Sequence, residues 1–236
     1  MDKETKDNLL MLVRDNYNLI ADQYNETRKK PLLPRWQRLF DYVKEIKQGT
    51  KILDAGCGNG RLLEAFKDKR IKYLGFDMNG KLVNYARERY SGYDFYVADI
   101  LDLKNIDNET YDHIFSVAVM NHIPGFDLRV KTIKELATKL KKGGEIFISA
   151  WNLWDSNKHR TILYKNALDK LLGKNKMEKG DAIFDWKNAD GDVVSKRYYH
   201  AFTLRELKKL GTVSGLGVKE VSKDKFNTFA IYKKEV

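Results

Sequence analysis

Residues 51–60 read KILDAGCGNG: a short apolar run that ends in an acid, Asp54, and then breaks into glycines at Gly56, Gly58 and Gly60. Ile52, Leu53 and Ala55 have the composition of a buried strand. The glycines allow positive φ and a close backbone approach that a Cβ would block. The stretch therefore predicts a strand feeding a nucleotide-binding turn. A helix over Arg61 to Lys67 is expected next, its first N–H groups aimed back at whatever the turn holds.

Spacing narrows the nucleotide. A dinucleotide fingerprint runs G-x-G-x-x-G and cradles a pyrophosphate, whereas the order here is D-x-G-x-G-x-G. A carboxylate at Asp54, beside a turn with room for a bulky uncharged group, suits a ligand with an amino acid end and no phosphate. The pattern resembles motif I of the class I S-adenosylmethionine (SAM) methyltransferases. That resemblance implies an α/β fold with a mixed seven-stranded sheet, helices on both faces and an antiparallel last strand.

Downstream, the chain alternates as a doubly wound sheet requires. Lys72–Asp77 reads as a strand and Asn79–Tyr90 as its helix, which puts Asp77 about twenty residues past the turn, where an acid can accept from ribose hydroxyls. Phe95–Ile100 is a third strand; Asp99 can accept from the adenine amine, or cap a helix, while Ile100 packs on the ring. Strand four, Tyr111–Val119, leaves through Met120-Asn121-His122-Ile123-Pro124. Asp127 is expected to cap a helix carrying Val130, Ile133, Ala137 and Leu140, closed by Gly143-Gly144. Strand five, Glu145–Trp151, delivers Trp151 to the edge where ligands bind in open α/β sheets. Met78 and Val117 complete the cofactor-lining residues that the motif I resemblance implies.

Upstream, Leu9, Leu12, Val13, Tyr17, Ile20, Ala21 and Tyr24 recur at helical spacing, so Asp2 to about Asn25 is expected to be an amphipathic helix over the cofactor cleft. A basic stretch with Arg28, Pro31, Pro34, Arg35, Trp36 and Arg38 follows. The prolines exclude a continuous helix there. Trp36 beside arginine suits a phosphate or a stacked base, or else sits in the core. Beyond strand five, Asn152–Val194 reads as an insertion with a helix over His159–Leu172 and a wall of the substrate site. Arg197-Tyr198-Tyr199-His200-Ala201-Phe202 comes next, then a capping box at Thr203 and Glu206, and a closing antiparallel pair over Val218–Val221 and Phe226–Tyr232.

The 236 residues suit one methyltransferase domain, divided as a cap with basic loop (1–48), a SAM-binding core (49–151), an insertion (152–196) and a substrate-side segment with the closing strands (197–236). The single cysteine, Cys57, excludes a disulfide framework and a cysteine-cluster zinc site. No apolar run approaches the ~18 residues that span a bilayer, and no signal peptide is evident, so a cytoplasmic protein without membrane contact is expected. Net charge +11 and pI ≈ 9.4 are compatible with a polyanionic partner and equally with a lysine-rich solvated surface.

Absences narrow the chemistry. The Asn or Asp, two prolines and an aromatic of exocyclic-amine methyltransferases are missing after strand four. No cysteine stands where a covalent pyrimidine adduct needs one, and no His and acid set with metal-ligand spacing is present, so no metal is expected.

YNLIADQYNETR at 17–28, LDAGCGNG at 53–60, VAVMNHI at 117–123, SAW at 149–151 and RYYHAF at 197–202 together resemble the tRNA wobble-uridine carboxymethyl methyltransferases, including the methyltransferase domain of the AlkB-homologue tRNA enzymes. The resemblance implies SAM as cofactor, the tRNA anticodon loop as partner, a small zinc-binding activator subunit, and esterification of the carboxylate of 5-carboxymethyluridine. It implies Arg28 and Arg197 as clamps for a carboxylate or phosphate, with His122 and Trp151 bordering the uracil. Trp36, Tyr199 and His200 are further substrate-binding candidates, the last two also reading as a core aromatic run. The same core suits a methyltransferase of small molecules, or a SAM-binding scaffold without activity.

Overall fold

The computed structural model describes residues 1–29, 36–106, 110–187 and 191–235. The basic loop at 30–35, with Pro31, Pro34 and Arg35, lies outside the described residues. Helix α1 runs Lys3–Arg28 and α2 Gln37–Glu45; then come β1 (Lys51–Ala55), β2 (Lys72–Asp77), α3 (Gly80–Arg89), β3 (Asp94–Val97), β4 (Tyr111–Val117), α4 (Phe126–Thr138) and β5 (Leu140–Trp151). The rest is α5 (Asn157–Leu171), β6 (Asp181–Lys187), β7 (Val193–His200), α6 (Leu204–Val213), β8 (Gly217–Lys223) and β9 (Asn227–Lys233).

Seven strands form one sheet in the order β3-β2-β1-β4-β5-β9-β8. β1 to β5 pair in parallel, and β9 runs antiparallel between β5 and β8. The expected mixed sheet is therefore the observed one. β1 shows why its apolar run is continuous: Ile52 packs with Leu39, Val43 and Val83 on one face, while Leu53 and Ala55 join the cluster holding Ile133 and Leu136 on the other. Chain order reverses between β1 and β4, and the crevice at such a switch point is where open α/β sheets bind ligands.

α1 starts on Asp2, whose side chain accepts from the Thr5 N–H at 2.9 Å. Its lower half buries Leu9 and Val13 against Tyr198. Its upper half is held by polar contacts, Asn18 to Asn79, Asn25 to Asn59, and Asp22 to Lys81 and Tyr85. The helix thereby covers the C-terminal ends of β1 and β4.

Several local expectations are corrected. The helix expected over Arg61 to Lys67 forms as a 3₁₀ helix, Arg61–Phe66, which buries Leu62, Leu63 and Phe66. Asp127 does not cap α4: the N-cap position is Gly125, and Asp127 pairs with Lys6 of α1 at 2.5 Å. Gly143 and Gly144 lie inside β5, which begins straight after the α4 cap at Lys139. β3 stops at Val97, leaving Asp99 and Ile100 in the turn beyond it. The supposed polar insertion contains β6, paired with β7 in a separate two-stranded antiparallel sheet. Among the described residues, no helix is long and apolar enough to cross a membrane.

Candidate active site

The glycine turn folds as its spacing demands. Gly56, Gly58 and Gly60 have φ of 87°, 53° and 77°. At Gly56 a Cβ would lie 2.4 Å from Val119 Cγ2, so the turn closes directly on the exit of β4. The N–H groups of Gly56 and Cys57 both donate to the Phe76 carbonyl, at 2.8 and 2.9 Å. Asp77 accepts from the N–H groups of Gly58 and Asn79, each at 2.9 Å, tying the turn to the end of β2. Cys57 is buried and packs towards Gly75.

Asp54 is 2% exposed and accepts from the Tyr73 hydroxyl at 2.7 Å. Burial pushes its carboxyl up to about 7, with the Tyr73 bond opposing and the Asp77 charge adding to the rise. Asp77 is raised by burial against its backbone hydrogen bonds. A buried acid and a half-buried one, both raised by desolvation and both beside the turn, make a site that a cation stabilises.

Two cavities meet at the turn. The smaller, about 80 Å³, lies among Val13, Tyr17, Asp77, Met78, Ile100 and Val117. The larger, about 600 Å³, is bounded by Asp54, Gly56, Arg28, Trp36, Trp151 and Arg197 among others. Tyr17, Tyr24, Gly56, Val117 and Ala118 border both. Ala118 has φ of 58°, in the left-handed region that β-carbon residues avoid. A strained residue at the junction of two binding spaces is where such strain concentrates.

His122, from the 3₁₀ turn after β4, is buried beneath α1. Its Nδ1 lies 3.1 Å from the Tyr198 carbonyl, an acceptor only, so Nδ1 carries the proton. Nε2 then accepts from the Tyr17 hydroxyl at 2.9 Å. Burial pushes this ring down to about 4, so it is neutral near pH 7. Tyr199 stacks on Trp151 (centroids 5.2 Å apart) and on Phe184 (5.1 Å), with His122 at 4.5 Å. Arg197 lies on the same face of β7 as Tyr199 and sits 3.4 Å over the Trp186 ring, a cation–π contact. Its Nε is buried without a partner. Arg28 lies 4.8 Å over Tyr24 and donates to Thr27.

Thus Arg28, Trp36, Trp151, Arg197 and Tyr199 meet around the larger cavity, although they come from α1, the start of α2, β5 and β7. Met78, Ile100 and His122 border the smaller one. Three candidates fall elsewhere. Gly60 bounds neither cavity and packs closely under Tyr90. Asp99 bounds neither cavity; it accepts from the Leu101 N–H at 2.9 Å, the local turn contact, with Arg14 at 4.0 Å. His200 is on the opposite face of β7 from Arg197 and Tyr199, because side chains alternate along a strand. It is clamped between Asp181 (2.7 Å) and Glu206 (2.8 Å), beside Arg129. Those carboxylates raise its pKa against burial and the Arg129 charge. Glu206 is thereby diverted from the return half of its capping box, while Thr203 keeps the forward half at 3.1 Å. Glu178, Asp181 and His200 have metal-ligand proximity, but Glu178 also pairs with Arg129 and Asp181 accepts from Tyr198, so the acids already have cationic and hydroxyl partners. Arg38 is likewise engaged, in a forked pair with Glu220.

Asn16, Tyr17, Tyr24, Ala118, His159 and Trp186 also bound the cavities, and sequence reasoning assigned none of them a site. The tyrosines were read as part of an apolar stripe and of the 17–28 motif, without a role of their own. Trp186 and His159 lie in the stretch read as a polar insertion.

This sheet order, with a D-x-G-x-G-x-G turn at its switch point and acids at the C-terminal ends of β1 and β2, defines a class I SAM-dependent methyltransferase. The sequence profile described as a methyltransferase domain matches residues 46–205, and the chain belongs to that family, whose cofactor is SAM. The cleft fits it: Asp54 and Asp77 are raised acids facing a cationic, amino-acid-bearing nucleoside, and the turn leaves no room for a Cβ at Gly56. The chain is 35% identical over 144 residues to the tRNA (carboxymethyluridine(34)-5-O)-methyltransferase of Saccharomyces cerevisiae, covering 61% of this chain and 49% of the relative. It is 31% identical to the mouse enzyme ALKBH8 of the same description, over 72% of this chain and 23% of that one. With the Schizosaccharomyces pombe enzyme of that description identity is 27%, over 94% and 96% of the two chains. The chain thus spans half or less of the first two relatives. Among solved structures, a SAM-dependent methyltransferase from Methanosarcina mazei superposes with TM-score 0.68 at 21% identity, covering 88% of this chain and 100% of that one. A Haloferax volcanii methyltransferase solved in complex with the Trm112 methyltransferase activator gives 0.64 at 17%, covering 95% and 98%.

Proposed function

We propose that this protein methylates the carboxylate of 5-carboxymethyluridine at the wobble position of tRNA, forming a methyl ester. One observation carries the reading: the cavity adjoining the glycine turn sets Arg28 and Arg197 beside Trp36, Trp151, Trp186 and Tyr199, guanidinium groups for an anion among aromatic faces for a base. The descriptions of the relatives support the same acceptor.

A carboxylate, with a reference pKa near ~4, is ionised at neutral pH and requires no general base. His122, neutral and hydrogen-bonded at both nitrogens, need not act as one. Catalysis then rests on orientation and electrostatics. Arg197, held over Trp186 with Nε unpaired, is positioned to clamp the substrate carboxylate; Arg28 at the rim takes the carboxylate or an adjacent phosphate. Trp151, backed by Tyr199, offers its ring to the uracil, and His122 anchors Tyr17 between the two cavities. Asp54, Gly56 and Gly58 hold the amino acid end of SAM, with Gly60 shaping the turn behind them, Asp77 holds the ribose, and Met78, Ile100 and Val117 the adenine. When bound, SAM supplies the electrophilic methyl group.

On this reading the chain is one methyltransferase domain acting in the cytoplasm, with the tRNA anticodon loop and a small zinc-binding activator as partners. The open edge of β3, with Tyr96 and Val97 exposed, is suited to receive such a subunit. The test is incubation with labelled SAM and tRNA bearing carboxymethyluridine, the activator supplied. A base-labile methyl ester is expected, and its absence would refute the proposal. Salt separates this acceptor from a neutral small molecule, since tRNA binding weakens steeply with ionic strength.

A further inference from the structure

Along α1, the residues bounding the larger cavity alone are Asn16, Ile20, Thr27 and Arg28, whereas Val13 faces only the smaller one and Tyr17 and Tyr24 stand between. Asn16 is the polar residue deepest on that stripe. It is 3% exposed, and its Oδ1 has no hydrogen-bond partner. Other amides of the same wall are engaged: Asn59 donates to Asn25, and Asn152 to Asp155 and the Asp224 carbonyl. An unpartnered buried acceptor on a residue that borders a binding cavity is an exception that calls for a donor.

We infer that Asn16 reads the Watson–Crick edge of the acceptor base, its Oδ1 accepting from the uracil N3–H. This rests on the proposed acceptor and adds what the arginines cannot supply. Guanidinium groups recognise the anion, and aromatic faces hold any flat ring, so neither tells one base from another. Uracil has a single ring N–H, at N3, flanked by the O2 and O4 carbonyls. A carboxamide matches that edge bidentately, Oδ1 to N3–H and Nδ2 to a neighbouring carbonyl. Trp151 and Asn16 both border the larger cavity, so a ring laid on Trp151 can turn its edge to α1, and Asn16 is then a specificity-determining residue that selects a pyrimidine protonated at N3. Rejection is strong at such a site, because an analogue without the donor leaves the buried amide unpaired.

The experiment uses the full chain with its activator and two anticodon stem-loop RNAs, one carrying 5-carboxymethyluridine at the wobble position and one carrying its N3-methyl derivative. Wild-type protein should esterify the first with kcat/KM at least roughly 10-fold above the second, as expected for the loss of one or two buried hydrogen bonds. Asn16→Leu should bind SAM as the wild type does, lose roughly 10-fold on the first RNA, and largely lose the preference. Wild-type indifference to N3 methylation, or an Asn16→Leu enzyme that keeps the preference, overturns the inference. If Asn16→Leu fails to bind SAM, the wild-type comparison of the two RNAs decides alone. A wild-type protein that binds SAM and esterifies neither RNA overturns the acceptor reading, and this inference with it.

Discussion

Replacing Asp54 by asparagine should make the SAM-free protein more stable and useless as a SAM binder. Asp54 is buried, and its carboxyl is raised from 3.8 to about 7 by burial. Because the folded-state pKa lies above the unfolded one, the native state holds an extra proton between these values. Stability therefore falls as pH rises through that window and levels off above about 7. At 1.36 kcal/mol per pKa unit, ionised Asp54 destabilises the fold by about 4 kcal/mol at pH 8 but only about 1 kcal/mol at pH 4.5. The asparagine carboxamide is close in shape to the protonated acid and still accepts from Tyr73, so it removes most of this penalty. The assay is urea unfolding of both proteins at pH 4.5 and pH 8, without and with SAM. D54N should gain about 4 kcal/mol over wild type at pH 8, roughly 10 °C in Tm for a chain of this size, and about 1 kcal/mol at pH 4.5. SAM at 100 times its Kd should stabilise wild type by about 2.7 kcal/mol and D54N hardly at all. SAM affinity in the wild type should rise from pH 6 to 8 as Asp54 ionises. A gain that is equal at the two pH values, or a D54N protein that SAM still stabilises, would refute the reasoning.

Other outcomes follow from the same geometry. Gly56→Ala puts a methyl 2.4 Å from Val119 at a φ of 87°, so it should lose at least roughly 10-fold in SAM affinity by calorimetry while the protein stays folded, the closure being local. Arg197→Lys removes the planar cation over Trp186 and should lower kcat/KM for the tRNA by roughly 10- to 100-fold, with SAM binding unchanged in the same titration. Because His122 is held down at about 4, kcat at saturating SAM should show no limb between pH 6 and 8 from this group; Tyr17→Phe, which removes its hydroxyl partner, should lower kcat without creating one. Filter binding of tRNA between 50 and 200 mM salt should fall by at least roughly 10-fold if several phosphates are contacted.

Locally coded features were legible before the structure. The glycine turn is a matter of backbone freedom, and the apolar runs of β1, β2, β4 and β5 reflect burial on both faces, so each could be read from neighbouring residues. Two of the errors arose where a distant group won. Asp127 looks like a cap until Lys6, 121 positions away, takes its carboxylate. Glu206 looks like the second half of a capping box until His200 and Arg129 claim it.

The site divides along the same line. By itself the sequence determined the methyl donor and the sheet that binds it, because a D-x-G-x-G-x-G turn with acids at the C-terminal ends of two strands depends on short-range spacing. The acceptor space was decided only in three dimensions. Alternation along β7 says that Arg197 and Tyr199 share one face and Tyr198 and His200 the other, but only the packing of β7 against α1 and the β4 exit says which face meets the cavity. The groups that define the site are far apart in the chain: Tyr17 with His122, and Arg28 with Trp151 and Arg197 around the larger cavity. No local rule pairs them, since their contacts arise from how a lid helix and a separate hairpin close over the ends of the sheet.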